Sequence, residues 1–239
     1  MGVNLIHIAL VQSSTPQLPD ADLSILPGFC ASPAILRRQS RSESSLGHRP
    51  PPKPWREAAA RLKPGRSCLL PLYEWAGSGV AFHTAALITA GSATVLYRQR
   101  HLRLAAGEFE ILTMQPGDLG LPLAQIRDLG ITWLLGSDAF CEEILKEAES
   151  LAPQALIWCH AAPHGRLAAI DEQAQRIARR LHAVVLVAGR PQDEDDPDGS
   201  GGSAAYSADG IRIAALGRDQ ATLDLQLGHD EEGCTCVQA

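Results

Sequence analysis

The sequence predicts a layered α/β fold in a single domain. Short apolar runs alternate with amphipathic helical patterns along the chain, and several of these runs are apolar at nearly every position. Strands of that kind are buried on both faces. A length of 239 residues suits one substantial domain. We expect this domain to span residues 1–228, followed by a frayed C-terminal tail at 229–239.

The first part of the chain is predicted to be mostly strands. Residues 31–54 are rich in Ser, Arg and Pro and are expected to form a flexible loop, and a helix (PWREAAARLK, 54–63) follows with Pro54 near its first turn. The predicted strands are LIHIALVQ (5–12), ADLSILPG (21–28), SCLLPLYEWA (67–76), VAFHTAALITA (80–90) and ATVLYRQRH (93–101).

The second part alternates strands with helices. Apolar residues at helical spacing predict helices at 139–152 and 169–182, and the acidic, glycine-rich segment 191–203 is expected to be a flexible loop. The segments AYSADGIRIAALG and QATLDLQLG then predict a closing pair of strands. The other predicted strands are DLGITWLLGSD (128–138), ALIWCHAA (155–162) and AVVLVAGR (183–190).

Composition and charge exclude several classes of protein. Apolar residues make up 45% of the chain and charged residues 20%, which allows a packed core and argues against global disorder. The net charge of −6 argues against a nucleic-acid surface, since phosphate contacts need clustered cations. No uninterrupted run of 18 apolar residues is present, so we expect no membrane span.

The cysteines and the N-terminus favour a cytoplasmic location. MGVNLIHIALVQSS lacks the basic head and cleavage site of a secretory signal and is predicted to form a buried strand. Four of the six cysteines lie inside apolar stretches, which is typical of buried thiols in a reducing compartment. The six are Cys30, Cys68, Cys141, Cys159, Cys234 and Cys236.

Five short motifs follow one another in an order that resembles the carbon–nitrogen hydrolase (nitrilase) family over nearly the whole chain. That resemblance implies a four-layer α-β-β-α sandwich whose subunits assemble in pairs. The motifs are IALVQ at the end of the first strand, YRQRHL (97–102), QPGD (115–118), ITWLLGSD (131–138) and the helix-to-strand passage AIDEQAQRIARRLHAVVLVAGR (169–190).

The resemblance also implies a catalytic triad whose three residues are replaced here. The family uses a cysteine nucleophile, a glutamate base and a lysine that stabilises the tetrahedral intermediate. The matching positions carry Gly28 for the glutamate, Gln99 for the lysine and Gly136 for the cysteine. We therefore expect a catalytically inactive protein without a cofactor. It would act through oligomer assembly or by binding a small ligand or a protein partner.

The first helix of the family is expected to be missing. Only a short segment separates IALVQ from ILPGF, and this helix ordinarily covers one face of a sheet. Its loss would expose apolar surface of the kind that marks an interface. The sequence therefore predicts a homodimer or a hetero-oligomer with a partner protein.

A divergent amidase-type hydrolase with a relocated cysteine is the alternative hypothesis. Cys141 is predicted at the start of a helix, where thiol pKa values fall, but a buried helix thiol fits equally. Cys159 could pair with His164 in the following loop, whereas Cys159 and His160 point to opposite faces, but a core thiol with two loop histidines fits the segment better. Glu74 could replace the base, although a solvent-exposed strand-end glutamate fits its position better.

Several polar residues remain around the expected pocket. They could bind a small polar ligand or serve only as structural hydrogen-bonding groups. Cys234 and Cys236 with the preceding His229 could hold a soft metal, but the spacing is narrow for structural zinc, so no metal is expected. The pocket candidates are His101, Glu108, Glu110, Asp138 and Cys159.

Overall fold

The structure, a computed structural model, consists of two mixed β-sheets that face each other, with α-helices on their outer sides. The layered α/β sandwich predicted from the sequence is confirmed. The described residues are 4–12, 18–27, 53–77, 80–90, 92–102, 114–160, 164–191, 200–219, 221–230 and 233–239.

The seven-stranded sheet contains both ends of the chain. Its order is β13-β12-β1-β2-β3-β4-β5, in which β1, β2 and β3 run parallel and the other neighbours pair antiparallel. The strands are β1 (Asn4–Gln12), β2 (Leu23–Ile25), β3 (Ser67–Gly77), β4 (Val80–Thr89), β5 (Ser92–Arg98), β12 (Ala221–Asp230) and β13 (Gly233–Gln238).

The six-stranded sheet has the order β11-β10-β9-β8-β7-β6. Its three central strands, β7, β8 and β9, are parallel and fully buried, as their nearly continuous apolar sequences require. The strands are β6 (Ala124–Ile126), β7 (Leu129–Leu135), β8 (Ala155–His160), β9 (Val184–Gly189), β10 (Ala204–Tyr206) and β11 (Arg212–Ala215).

Alternation along β1 assigns its side chains to two layers. Ile6, Ile8 and Leu10 belong to the main core that the two sheets share. Ala9 and Val11 point to the opposite face and join a smaller cluster with the helix α1 (Lys53–Arg61). The strand is therefore covered on both sides along most of its length.

Two helices cover the outer side of the six-stranded sheet. They are α2 (Glu142–Leu151) and α3 (Leu167–Leu181), and both end with a residue in the left-handed region, Ala152 and His182. Apolar residues at helical spacing bury one face of each helix, including Ile144 and Ala148 in α2. Within the described residues, no helix is long and apolar enough to span a bilayer.

Several element boundaries differ from the sequence prediction, including the following three. Strand β5 ends at Arg98 rather than at residue 101, because the N–H groups of Arg100 and His101 bond to a carboxylate instead of a strand. The helix expected from residue 139 begins at Glu142, because Gly136–Phe140 form a 3₁₀ helix. The first helix begins at Lys53, one residue earlier than predicted.

The frayed tail predicted for residues 229–239 is wrong. Gly233–Gln238 form β13, which pairs antiparallel with β12. Cys234 and Cys236 turn toward the main core, whereas Thr235 and Val237 are exposed. This two-residue alternation is the strand signal that the polar composition of the segment obscured.

The segments in which a missing first helix and two flexible loops were predicted lie mostly outside the described residues. Residues 18–22, which precede β2, contain no helix, and residues 13–17 lie outside the described residues. The loops predicted at 31–54 and 191–203 fall largely in segments that also lie outside them. The division into a domain at 1–228 and a tail stays a prediction.

Candidate functional site

Positions 99 and 136, which the resemblance matches to a lysine and a nucleophile, lie side by side. Gly136 directly follows β7 and has φ +50, in the left-handed region that favours glycine. A Cβ built on Gly136 would lie 2.8 Å from Nε2 and 3.0 Å from Oε1 of Gln99. The amide of Gln99 therefore fills the space into which a side chain at position 136 would project.

The Gln99 amide is buried and held by three hydrogen bonds. Gln99 as a whole is only 1% exposed. Nε2 donates to the carbonyl of His101 and to Oγ of Ser137, both at 3.0 Å. Oε1 lies 2.8 Å from Nδ1 of His83, which must then carry the proton. Burial lowers the pKa of His83 to about 4, so this imidazole is neutral at physiological pH.

Asp138 fixes the segment that follows Gln99. Its Oδ1 accepts the backbone N–H groups of Arg100 (3.0 Å) and His101 (2.6 Å), and its Oδ2 accepts the hydroxyl of Tyr97 (2.8 Å). Burial raises the pKa of Asp138 to about 7, even though these three donors stabilise its charged form. The carboxyl thus ties the end of β5 to the turn after β7.

The QPGD motif supports the same segment from the other side. The N–H of Gly117 donates to the carbonyl of Gln99 at 2.7 Å. A Cβ at Gly117 would come within 2.6 Å of the Arg98 carbonyl oxygen, so only glycine permits this close approach. The glycine of the motif is therefore explained by backbone packing against Arg98 and Gln99.

Aromatic side chains lie beside Gly136. Nε1 of Trp158 donates to the Gly136 carbonyl at 2.9 Å, and the Trp158 ring meets Phe140 edge-on with centroids 5.5 Å apart. The ring of His160 lies 5.7 Å from that of Trp158, and burial lowers the pKa of His160 to about 4. These contacts hold the left-handed turn at Gly136 in place.

The two candidate cysteines have different surroundings. Cys159 lies in β8, is fully buried and directs its thiol toward the carbonyl of Leu26 at 3.9 Å. Burial raises the pKa of the Cys159 thiol far above its usual range. Cys141 precedes α2, is half-buried and donates its thiol hydrogen to Glu143 at 3.2 Å.

The structure brings only part of the predicted pocket together. His101 and Asp138 adjoin Gln99 and Gly136, but Asp138 is fully buried and faces backbone N–H groups rather than open space. Cys159 pairs in register with Leu135, one residue before Gly136, and its thiol points toward Leu26, which directly follows β2 of the other sheet. Gly28, Glu108, Glu110 and the side chain of His164 lie outside the described residues.

Sequence reasoning missed four side chains of this site. His83, Ser137, Tyr97 and Trp158 supply the bonds that hold Gln99, Asp138 and Gly136. The one available signal was a lone histidine inside the apolar strand VAFHTAALITA. A buried histidine must find a partner, but the register of β4 against β5 was needed to identify it.

Metal-ligand clusters and disulfides are both absent from the described residues. Among the residues that the structure describes, no group of three His, Cys, Asp or Glu side chains is arranged to hold a metal ion. The five described cysteines are free thiols. Burial raises the pKa of Cys234 to about 11 and that of Cys236 to about 12.

No protein-family model matches this chain. No curated protein sequence matches it either.

Solved structures match the chain along nearly its whole length. An amidase from Nesterenkonia sp. AN1, with the acetamide moiety of fluoroacetamide bound covalently to its active-site cysteine, has a TM-score of 0.79 at 17% identity, over 93% of this chain and 90% of that one. Nit3 from Saccharomyces cerevisiae, a member of the nitrilase superfamily, has a TM-score of 0.76 at 17% identity, over 96% and 91%.

A third match is a larger protein. The glutamine-dependent NAD+ synthetase from Acinetobacter baumannii has a TM-score of 0.74 at 15% identity, over 99% of this chain and 48% of that one. The chain thus spans about half the length of that synthetase. Taken together, the matches confirm the predicted resemblance at the level of the fold: this protein has the nitrilase-type carbon–nitrogen hydrolase fold.

Proposed function

We propose that this protein uses the carbon–nitrogen hydrolase fold without hydrolysing amides or nitriles. The observation that carries the proposal is the pairing of Gly136 with Gln99. Glycine has no nucleophilic side chain, and the amide of Gln99, a residue that is only 1% exposed, fills the adjoining space. Gln99 donates hydrogen bonds but has no charge to stabilise a tetrahedral intermediate.

Each residue type that the reaction needs is replaced. A thiol attacks well only when a base takes its proton, and the developing oxyanion needs a positioned cation. Gly136 replaces the thiol and Gln99 replaces the ammonium. We assign Gly28 to the position of the glutamate, from its place after the segment ILP. Loss of all three removes the groups that lower the barrier.

The second candidate function is an amidase-type hydrolase that uses a relocated cysteine. One observation favours Cys141: its thiol lies 3.2 Å from the carboxylate of Glu143 at the start of α2, within reach of a base. Cys159 is disfavoured because its thiol is buried and its pKa is raised.

Thiol reactivity separates the two candidate functions. Native protein is labelled with iodoacetamide at about pH 6, and the modified peptides are mapped over time. We expect Cys141 to react no faster than glutathione, and Cys159 to react only after unfolding in urea. Labelling of either cysteine about tenfold faster than glutathione would favour the hydrolase instead.

We propose that the protein acts in the cytoplasm through assembly, either with a second copy or with a partner protein. Leu5 is 50% exposed on β1 and Val237 is 54% exposed on β13, and β12 is the only strand between them. Both alternate with core-facing neighbours and so point away from the second sheet. Exposed apolar side chains on one sheet face support an interface there.

A further inference from the structure

A second polar site lies at the other end of the sandwich from Gln99 and Gly136. Asp22 directly precedes β2, and Arg127 lies in the turn between β6 and β7. Gly136 follows the opposite end of β7, which is seven residues long. At about 3.3 Å per residue the two sites are roughly 20 Å apart.

One buried carboxylate organises this second site. Asp22 is 5% exposed, and its Oδ2 accepts the backbone N–H of His7 at 2.9 Å. Its Oδ1 accepts one N–H from Arg66 and one from Arg127, the latter at 2.7 Å. Arg66 also pairs with Asp20 at 3.2 Å, and Lys63 contacts Asp20 at 3.1 Å. Three cations thus face two carboxylates, and the cluster keeps a net charge of +1.

Arg127 combines an unusual backbone conformation with two side-chain hydrogen bonds. It has φ +51, a backbone conformation that residues other than glycine rarely adopt. Its guanidinium spans the two sheets, since it donates to Asp22 and also to the Leu5 carbonyl at 3.1 Å. These two hydrogen bonds orient its charged group before any ligand binds.

The two arginines line an open cleft of about 390 Å³, which lies in the size range of small-molecule sites. Their side chains are 30% (Arg66) and 51% (Arg127) exposed. Each guanidinium has five N–H donors. In the part of the chain that the structure describes, each uses two: Arg66 for Asp20 and Asp22, and Arg127 for Asp22 and Leu5. The cleft wall also includes Ser67, Thr89 and Gln125.

We propose that this cleft binds the oxyanion group, carboxylate or phosphate, of a small molecule. Fixed guanidinium groups match the planar geometry of carboxylates and the oxygens of phosphate, and the polar wall provides further hydrogen-bonding groups. The net charge of −6 for the whole chain disfavours nonspecific anion binding elsewhere on its surface. The inference does not rest on the proposed function, because none of these residues adjoins Gly136.

Isothermal titration calorimetry on the full chain tests the proposal. Sodium phosphate and sodium citrate are titrated separately in a zwitterionic buffer at low salt and about pH 7. We expect saturable binding of at least one anion with one site per chain. Binding of citrate alone identifies a carboxylate ligand, binding of phosphate alone identifies a phosphate ligand, and binding of both supports an oxyanion site of either kind.

Three variants locate the site. Arg127→Lys keeps the positive charge that pairs with Asp22 but loses the planar guanidinium group. It should weaken anion binding about tenfold. Gln125→Glu adds a carboxylate to the cleft wall without touching the arginine pairs, and should abolish binding even if Arg127→Lys does not fold. Arg212→Lys, which alters an arginine paired with Asp171 elsewhere, is the matched control and should bind like the wild type.

Two results overturn the proposal. The first is the absence of saturable heat with either anion. The second is binding that is unchanged in Gln125→Glu, since the anion would then be bound elsewhere on the protein.

Discussion

The side-chain amide of Gln99 occupies the space into which a Cβ on Gly136 would project. A Cβ there would lie 2.8 Å from Gln99 Nε2, and the backbone of Gly136 has φ +50. Any larger residue at 136 must displace an amide that three hydrogen bonds hold. The two residues are therefore expected to depend on each other energetically.

Gly136→Ala should destabilise the protein by about 1–3 kcal/mol, because it adds both a left-handed alanine and a contact with Gln99. Urea unfolding followed by circular dichroism measures the loss. In Gln99→Ala the obstructing amide is gone, so adding Gly136→Ala to that variant should cost about 1 kcal/mol less than in the wild type.

Gly165→Ala is the control for this comparison of single and double variants. A Cβ at Gly165 meets nothing within 4 Å, and its φ is not positive. We expect a change within about 0.5 kcal/mol. Strictly additive effects of Gln99→Ala and Gly136→Ala would show that the two residues are not coupled.

Replacements of Asp138 should distinguish the contribution of its hydrogen bonds to stability from the contribution of its charge. Asp138→Asn keeps an oxygen for the N–H groups of Arg100 and His101 and should change the free energy of unfolding by less than about 1 kcal/mol at about pH 4, where the folded protein keeps the Asp138 carboxyl protonated. Asp138→Ala leaves both donors unpaired and should cost about 3 kcal/mol. Urea unfolding of the two variants under identical conditions makes the comparison, and equal losses in both would contradict this role.

Two buried histidines should make stability fall as the pH drops from about 6.5 toward 4. Burial lowers the pKa of His83 and of His160 from 6.5 to about 4 in the folded protein. In that window each histidine is protonated when unfolded and neutral when folded. Stability therefore rises with pH, by about 1.4 kcal/mol per pH unit for each proton.

Asp138 should make stability depend on pH in the opposite direction. Its pKa rises from 3.8 to about 7 on folding, so between these values the folded state binds the extra proton and stability falls as pH rises. His83→Asn should therefore flatten the slope of unfolding free energy against pH between about 4.5 and 6.5, and Asp138→Asn should steepen it. Slopes that match the wild type in both variants would contradict these assignments.

Self-assembly should depend on the exposed apolar residues of the seven-stranded sheet. Static light scattering should give twice the monomer mass for the wild type and the monomer mass for the double variant Leu5→Ser with Val237→Ser. Ile211→Ser is the matched control, because Ile211 is 66% exposed but lies next to β11 in the other sheet. A monomeric wild type would exclude the homodimer.

Much of the fold could be predicted because its signals are local. The nearly continuous apolar sequences of β7, β8 and β9 identified the buried parallel strands, and the periodicity of α3 identified its helix. The strand at 233–238 was missed because its alternation covers only six residues and lies next to an acidic run. Its stability comes from pairing with β12, which is not a local signal.

The candidate site could be predicted only in part, for the same reason. The order of motifs pointed to Gln99 and Gly136, but it gave no indication that the Gln99 amide fills the space beside Gly136. That result depends on the register of β4 against β5 and on the turn after β7, which bring His83 and Ser137 to Gln99. Such contacts join residues far apart in sequence, so no local pattern encodes them.

Steady-state ammonia release is the most direct measure of whether this fold lacks a working nucleophile. Purified wild-type protein is incubated with aliphatic amides, nitriles and N-carbamoyl amino acids, beside a buffer blank. Release at the rate of the blank for every substrate is the predicted result. Saturable release above the blank that disappears in Cys141→Ser or Cys159→Ser would contradict it.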